Sequence, residues 1–88
     1  MRTVDTFRIM IKKPAENWLK SYDKEIQRRF VVEIRKLAEY PESHGKPLRG
    51  VLHDCWELYF ENRFRIIYTI DREQKIVEIV AVRHKDKF

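Results

Sequence analysis

Three side chains of complementary chemistry fall close together in the second half of the chain: the carboxylate of Glu57, the phenol of Tyr59 and the guanidinium of Arg65. Glu57 and Tyr59 are two residues apart, so on a strand they share a face, while Trp56, Leu58 and Phe60 share the other. Arg65 lies between Phe64 and Ile66 and alternates in the same way. A guanidinium beside a carboxylate and a phenol has two readings. It is an ion-paired strand arginine, or it is an anion-binding group with a carboxylate beside it. A basic tail, Arg83, His84, Lys85 and Lys87, follows the last apolar run and adds cations to the same region if that strand pairs alongside.

Composition favours a polyanionic partner and narrows the chemistry. Lys and Arg outnumber Asp and Glu by 19 to 14, a net charge of +5 in 88 residues, which promotes encounter with polyanions. Cys55 is the only cysteine, so the chain can form neither an internal disulfide nor a cysteine zinc cage, and the thiol reads as packed. The three histidines lack metal-ligand spacing; His44 and His53 read as loop residues. Two glycines cannot build a phosphate-binding loop, and no serine has the neighbours of a nucleophile. No metal or cofactor is expected.

Hydrophobic residues make up 43% of the chain and charged residues 38%, the balance of one compact domain over residues 1–88 rather than a disordered chain. No apolar run approaches a membrane span. The first residues carry no stretch of signal-peptide length, so the protein is expected in the cytoplasm with no membrane partner.

The elements that must position the three side chains follow from punctuation and periodicity. A short β-prone run covers about Thr6 to Lys12 and stops at Pro14, which also suits a helix's first turn. Ala15 to Tyr22 gives one or two helical turns with Trp18 and Leu19 inward. Asp23 is a helix cap, and Ile26, Phe30, Ile34, Leu37 and Ala38 form the apolar stripe of an amphipathic helix, widened by Val31. The charges from Arg28 to Lys36 read as its solvated face. Pro41, Gly45, Pro47 and Gly50 mark a loop. Cys55 to Phe60, Phe64 to Ile70 and Lys75 to Val82 alternate as strands, the last two joined by Asp71-Arg72-Glu73-Gln74. The expected fold class is α+β in the order β-α-α-β-β-β: an antiparallel meander joined by the first strand, with a helical hairpin on one face.

Register can be argued too. Residues directly opposite in a ladder point to the same side. A two-residue turn at Asn62-Arg63 would set Phe60 against Arg65 and mix core with charge. A three-residue turn, Glu61-Asn62-Arg63, sets Phe60 against Phe64, Leu58 against Ile66 and Trp56 against Tyr68, with Asn62 or Arg63 near left-handed geometry. Tyr59 then lies across from Arg65, and Glu57 across from Ile67.

Lys46 to Asp71 and Val77 to Phe88 carry a resemblance to the RelE/ParE toxin superfamily. Its segments are matched by Leu48-Arg49-Gly50, by Phe64-Arg65-Ile66-Ile67-Tyr68 and by His84 to Phe88, and the helical hairpin before them agrees in length. The RelE-like branch implies a toxin of a type II toxin-antitoxin system, a metal-independent, ribosome-dependent mRNA endonuclease that inhibits translation. Its partners would be the ribosome, mRNA and a cognate antitoxin, in a toxin-antitoxin hetero-oligomer. The resemblance implies that Arg65 holds the scissile phosphate, that His84 protonates the leaving 5′ oxygen and that Glu57 accepts the ribose 2′-OH proton. Arg49, Tyr59, Arg63, Lys85 and Lys87 would contact RNA, with Phe88 stacking on a base. This chain departs from RelE in lacking lysines at Glu57 and Tyr59 and in ending on Phe88 instead of tyrosine. Those departures keep two alternatives open: a ParE-like inhibitor of DNA gyrase, and an inactive member that only binds its antitoxin.

Overall fold

The computed structural model describes residues 6–50 and 54–87. Strand β1 spans Arg8–Ile11 and is followed by helix α1, Lys13–Lys20, with Pro14 in its first turn. Helix α2 spans Lys24–Arg35, and Asp23 caps it: its Oδ1 accepts from the Ile26 amide at 2.9 Å, satisfying one of the four donors a helix start leaves open. The expected continuation to Ala38 is present as a 3-10 turn, Lys36–Ala38. Phe30, Ile34 and Leu37 of the predicted stripe are buried.

The segment read as a loop from Pro41 to Gly50 holds more structure than its prolines and glycines indicate. Helix α3 spans Pro41–His44 and strand β2 spans Lys46–Pro47. Proline fits both places: it has no amide to lose at a helix's first turn, nor on the free side of an edge strand. Tyr40, in the left-handed region at φ 53, separates α3 from the preceding turn.

Strands β3 (Trp56–Phe60), β4 (Phe64–Asp71) and β5 (Ile76–His84) complete a five-stranded sheet in the order β1-β5-β4-β3-β2. The meander is antiparallel, and β1 lies parallel to β5 at the far edge. The β3–β4 register is the one the three-residue turn requires: Phe60 faces Phe64, Leu58 faces Ile66, and Trp56 faces Tyr68. Both Glu61 (φ 57) and Asn62 (φ 59) are left-handed while Arg63 is not, and the Arg63 amide donates to the Phe60 carbonyl. Positive φ at both central residues is the mirror-image turn whose twist matches paired strands.

The core lies between the helices and one side of the sheet. Trp18 of α1 is its hub, with ring centroids 5.0 Å from Phe64 and 5.6 Å from Phe30, tilted and edge-on arrangements that aromatic quadrupoles favour. Tyr68 is fully buried, and its hydroxyl donates to the Pro41 carbonyl at 2.9 Å. Burial holds that phenol well above its usual pKa, with the Glu42 carboxylate adding to the effect. Gly45 passes so close that a Cβ there would strike the Tyr68 hydroxyl and lie 2.6 Å from the Glu57 carbonyl oxygen. Cys55 is half-buried, which raises its thiol pKa.

Candidate functional site

The other side of the sheet carries the predicted polar group. Tyr59 pairs with Arg65, and Glu57 with Ile67, so all four side chains point away from the helices. Arg65 Nη1 lies 3.3 Å from Glu57 Oε1, and the guanidinium carbon sits 5.6 Å from the centroid of the Tyr59 ring. The apolar floor of the group is Ile67, only 3% exposed, with Ala81 as its β5 neighbour. On such a floor the ion pair is largely out of water: 24% of the Arg65 side chain and 12% of the Glu57 side chain remain accessible. Glu57 Oε1 is itself buried and receives no hydrogen bond among the described residues. Burying a carboxylate oxygen without a donor is costly, and the nearby Arg65 guanidinium offsets part of that cost.

Beside the pair a hollow of about 450 Å³ opens, lined by Tyr59, Asn62, Arg65, Lys85 and Asp86. The hairpin turn forms one wall. The 3-10 turn Lys85–Lys87 forms another, tied to the hairpin where the Lys85 amide donates to the Arg63 carbonyl at 2.9 Å. Arg83 pairs with Arg65 across the β4–β5 ladder and adds a second guanidinium to this face. Asn62 was legible only as a turn residue; what places its side chain at the hollow is the left-handed backbone it adopts.

His84 does not join this group, contrary to the sequence expectation. It pairs with Phe64 and so points to the helix-covered side, its ring edge-on to Phe64 with centroids 5.8 Å apart. The cause is a β-bulge. Ile67 pairs with Ala81 but Tyr68 with Ile79, so Val80 is an extra residue. The bulge reverses the alternation inherited from Val77 and Ile79, turning Arg83 outward and His84 inward; re-aiming a side chain is a common use of bulges. Arg63 also leans toward the core side, 4.9 Å from the Phe64 centroid. Arg49 is exposed in the coil after β2 and is not one of the residues that line the hollow. Phe88 and the side chain of Lys87 lie outside the described residues, as does His53.

This combination of a helical hairpin on one face of a meander and a basic, arginine-centred opposite face defines the RelE-like toxin fold. A chain of the RelBE2 toxin-antitoxin complex of Mycobacterium tuberculosis superposes with a TM-score of 0.78 at 28% identity, over 90% of this chain and 98% of that one. The archaeal RelE-RelB complex of Pyrococcus horikoshii OT3 gives 0.75 at 24% identity, over 94% and 99%. A RelE-like toxin protein of Escherichia coli is 27% identical over 82 residues, 92% of this chain and 85% of its own. Residues 9–87 match the model of the ParE toxin of the type II toxin-antitoxin system parDE, and the chain belongs to that family, within the RelE/ParE superfamily.

Proposed function

We propose that the protein is a type II toxin that cleaves mRNA on the ribosome and is held in check by a cognate antitoxin. The observation that carries this reading is Arg65: a guanidinium on an apolar floor, flanked by a carboxylate and a phenol, at the mouth of a hollow that also holds Lys85. Its planar fork matches phosphate oxygens, and a cation fixed in a partly dry site stabilises the charge that builds on phosphorus during attack. The nucleophile would be the ribose 2′ oxygen of the substrate. Its proton would pass to Glu57, and the 5′ oxygen would leave as the bond to phosphorus breaks, taking a proton from solvent or Lys85. His84, on the helix side, has no part in this scheme. Tyr59, half exposed beside Arg65, offers a ring for a base to stack on.

The antitoxin is proposed because the M. tuberculosis and P. horikoshii relatives occur in complexes with one. Primer extension on a message translated in vitro tests the activity. New ends that appear only with ribosomes, and vanish for Arg65→Ala, are the expected result; intact message from folded wild-type protein would end the proposal. A second reading, inhibition of DNA gyrase without cleavage, is favoured by the same ion pair, since Glu57 neutralises Arg65 in the resting protein. Supercoiling unaffected by the protein excludes it.

A further inference from the structure

We propose that the hollow beside Arg65 holds a nucleobase, and that Asp86 makes it selective for guanine. The inference rests on the reading of Arg65 as the phosphate-binding group and of Tyr59 as a stacking ring, and adds which base the site takes. Asp86 is out of character where it stands. It lines the hollow together with Arg65 and Lys85, and Arg83 lies on the same face. Where a surface meets a polyanion, a carboxylate among such cations weakens phosphate contacts whatever the sequence. A base edge that carries hydrogen-bond donors is a fitting partner for it. Backbone contacts position a nucleic acid, and base contacts specify it.

The walls that carry Asp86 and Asn62 are pinned to each other. The Lys85 amide donates to the Arg63 carbonyl at 2.9 Å; Asp86 follows one partner of that bond in the chain, and Asn62 precedes the other. The Asp86 amide in turn donates to His84 Nδ1 at 3.3 Å, which fastens the turn from the helix side. The Asp86 side chain stays 76% accessible, and Asn62 is exposed on its left-handed backbone. The hollow's 450 Å³ is within the range of small-ligand sites, and the half-exposed Tyr59 ring lends it a π-face.

Donor pattern selects the base. An ionised carboxylate only accepts, through two oxygens side by side. Guanine offers two neighbouring donors, N1–H and the N2 amino group, in the same parallel fork by which arginine grips a carboxylate. Adenine and cytosine offer one donor beside a ring nitrogen that itself accepts, so one carboxylate oxygen would face a lone pair. Uracil has a single N–H between two carbonyls. Next to the guanine fork lies O6, to which the Asn62 amide donates.

The test uses the full chain and the 3′,5′-bisphosphates of guanosine, inosine, adenosine and cytidine, with affinities read by NMR titration. These probes carry a phosphate on either side of the sugar and no phosphodiester bond to cleave. Wild-type protein is expected to bind the guanosine probe about tenfold more tightly than the inosine one, which lacks only the N2 amino group and so one hydrogen bond to a charged acceptor. The adenosine and cytidine probes should bind more weakly still. Asp86→Ala should bring guanosine and inosine within about twofold of each other. Asn62→Gly keeps the left-handed backbone; it should weaken both of these alike and leave their ratio unchanged. Circular dichroism confirms that each variant is folded. Equal binding of guanosine and inosine by wild type, a ratio that survives Asp86→Ala or is lost in Asn62→Gly, or no binding of any probe by wild type overturns the inference. Its failure is separable from that of the cleavage reading: guanine preference without ribosomal cleavage leaves the inference standing and the endonuclease proposal lost, and cleavage by a protein that binds all four probes alike does the reverse.

Discussion

The two faces of the sheet are built from the same strands, residue by residue in alternation, yet they follow opposite rules. On the helix side Leu58, Phe60, Phe64, Ile66 and Tyr68 are all buried, and each touches other apolar groups. On the bare side the same strands present Glu57, Tyr59, Arg65 and Arg83, with Ile67 as the buried apolar contact between them. One face is filled by packing and tolerates no vacancy. The other keeps charges half-dry, a poor source of stability but a good way to hold a guanidinium still. The difference separates residues that keep the fold from residues that give it something to do, although neighbours such as Phe64 and Arg65 adjoin in sequence.

Substitutions on the two faces should therefore give opposite signatures. The largest effect on stability is expected for Phe30→Ala, which empties a fully buried ring site and should cost about 3–5 kcal/mol in denaturant unfolding. Arg65→Ala should lower cleavage by about 10²–10³-fold, the typical loss of a transition-state charge contact, with a smaller loss of stability than Phe30→Ala, arising from the Glu57 carboxylate left without its counter-charge; an equally large loss of stability would show that the bare face is structural after all. Tyr68→Phe removes one buried hydrogen bond and leaves the Pro41 carbonyl without its donor, so a loss of about 1–3 kcal/mol is expected. Asp23→Ala, far from both faces, should cost about 1 kcal/mol through the lost cap. The smallest effect concerns pH. A backbone hydrogen bond and the Arg72 guanidinium hold the Glu42 carboxyl below its usual value. A carboxyl depressed in the folded state stabilises above its unfolded pKa, and that contribution is lost as pH falls through the folded one. Arg72→Ala should thus flatten the acid limb of a stability-pH curve slightly, lowering stability a little near neutrality and leaving it unchanged at pH below the folded-state pKa.

Much of this contrast was legible in the sequence. The β3–β4 register followed from a single requirement, that Arg65 not face Phe60, and the facing pairs followed from the register. The Asp23 cap and the buried stripe of α2 were equally plain, because both depend on local spacing. What could not be read were features decided by tertiary context. Pro41 to Pro47 looked like punctuation, but Tyr68 reaches across from β4 to hold the Pro41 carbonyl, and β3 offers a free edge for Lys46 and Pro47. His84 was assigned to the wrong side because nothing in Ile76 to His84 announces that Val80 is surplus: the run is apolar on both parities, so alternation passes through it unmarked. For the site, Glu57, Tyr59 and Arg65 came together as their spacing required. Asn62 was missed because a turn residue's side chain has no periodic partner to reveal it.

The bulge at Val80 also bears on how the strand tolerates insertions and deletions. Deleting Val80 would leave Ala81 to His84 on their present partners, but ironing the bulge out with Val80 kept, so that it faces Ile67, would slide the strand by one place and send Arg83 to the helix side and His84 to the bare one. The composition of the strand would hardly change, but the bare face would trade a permanent cation for one that ionises near neutrality. In β5, the bulged pairing rather than residue type decides which chemistry the tail contributes.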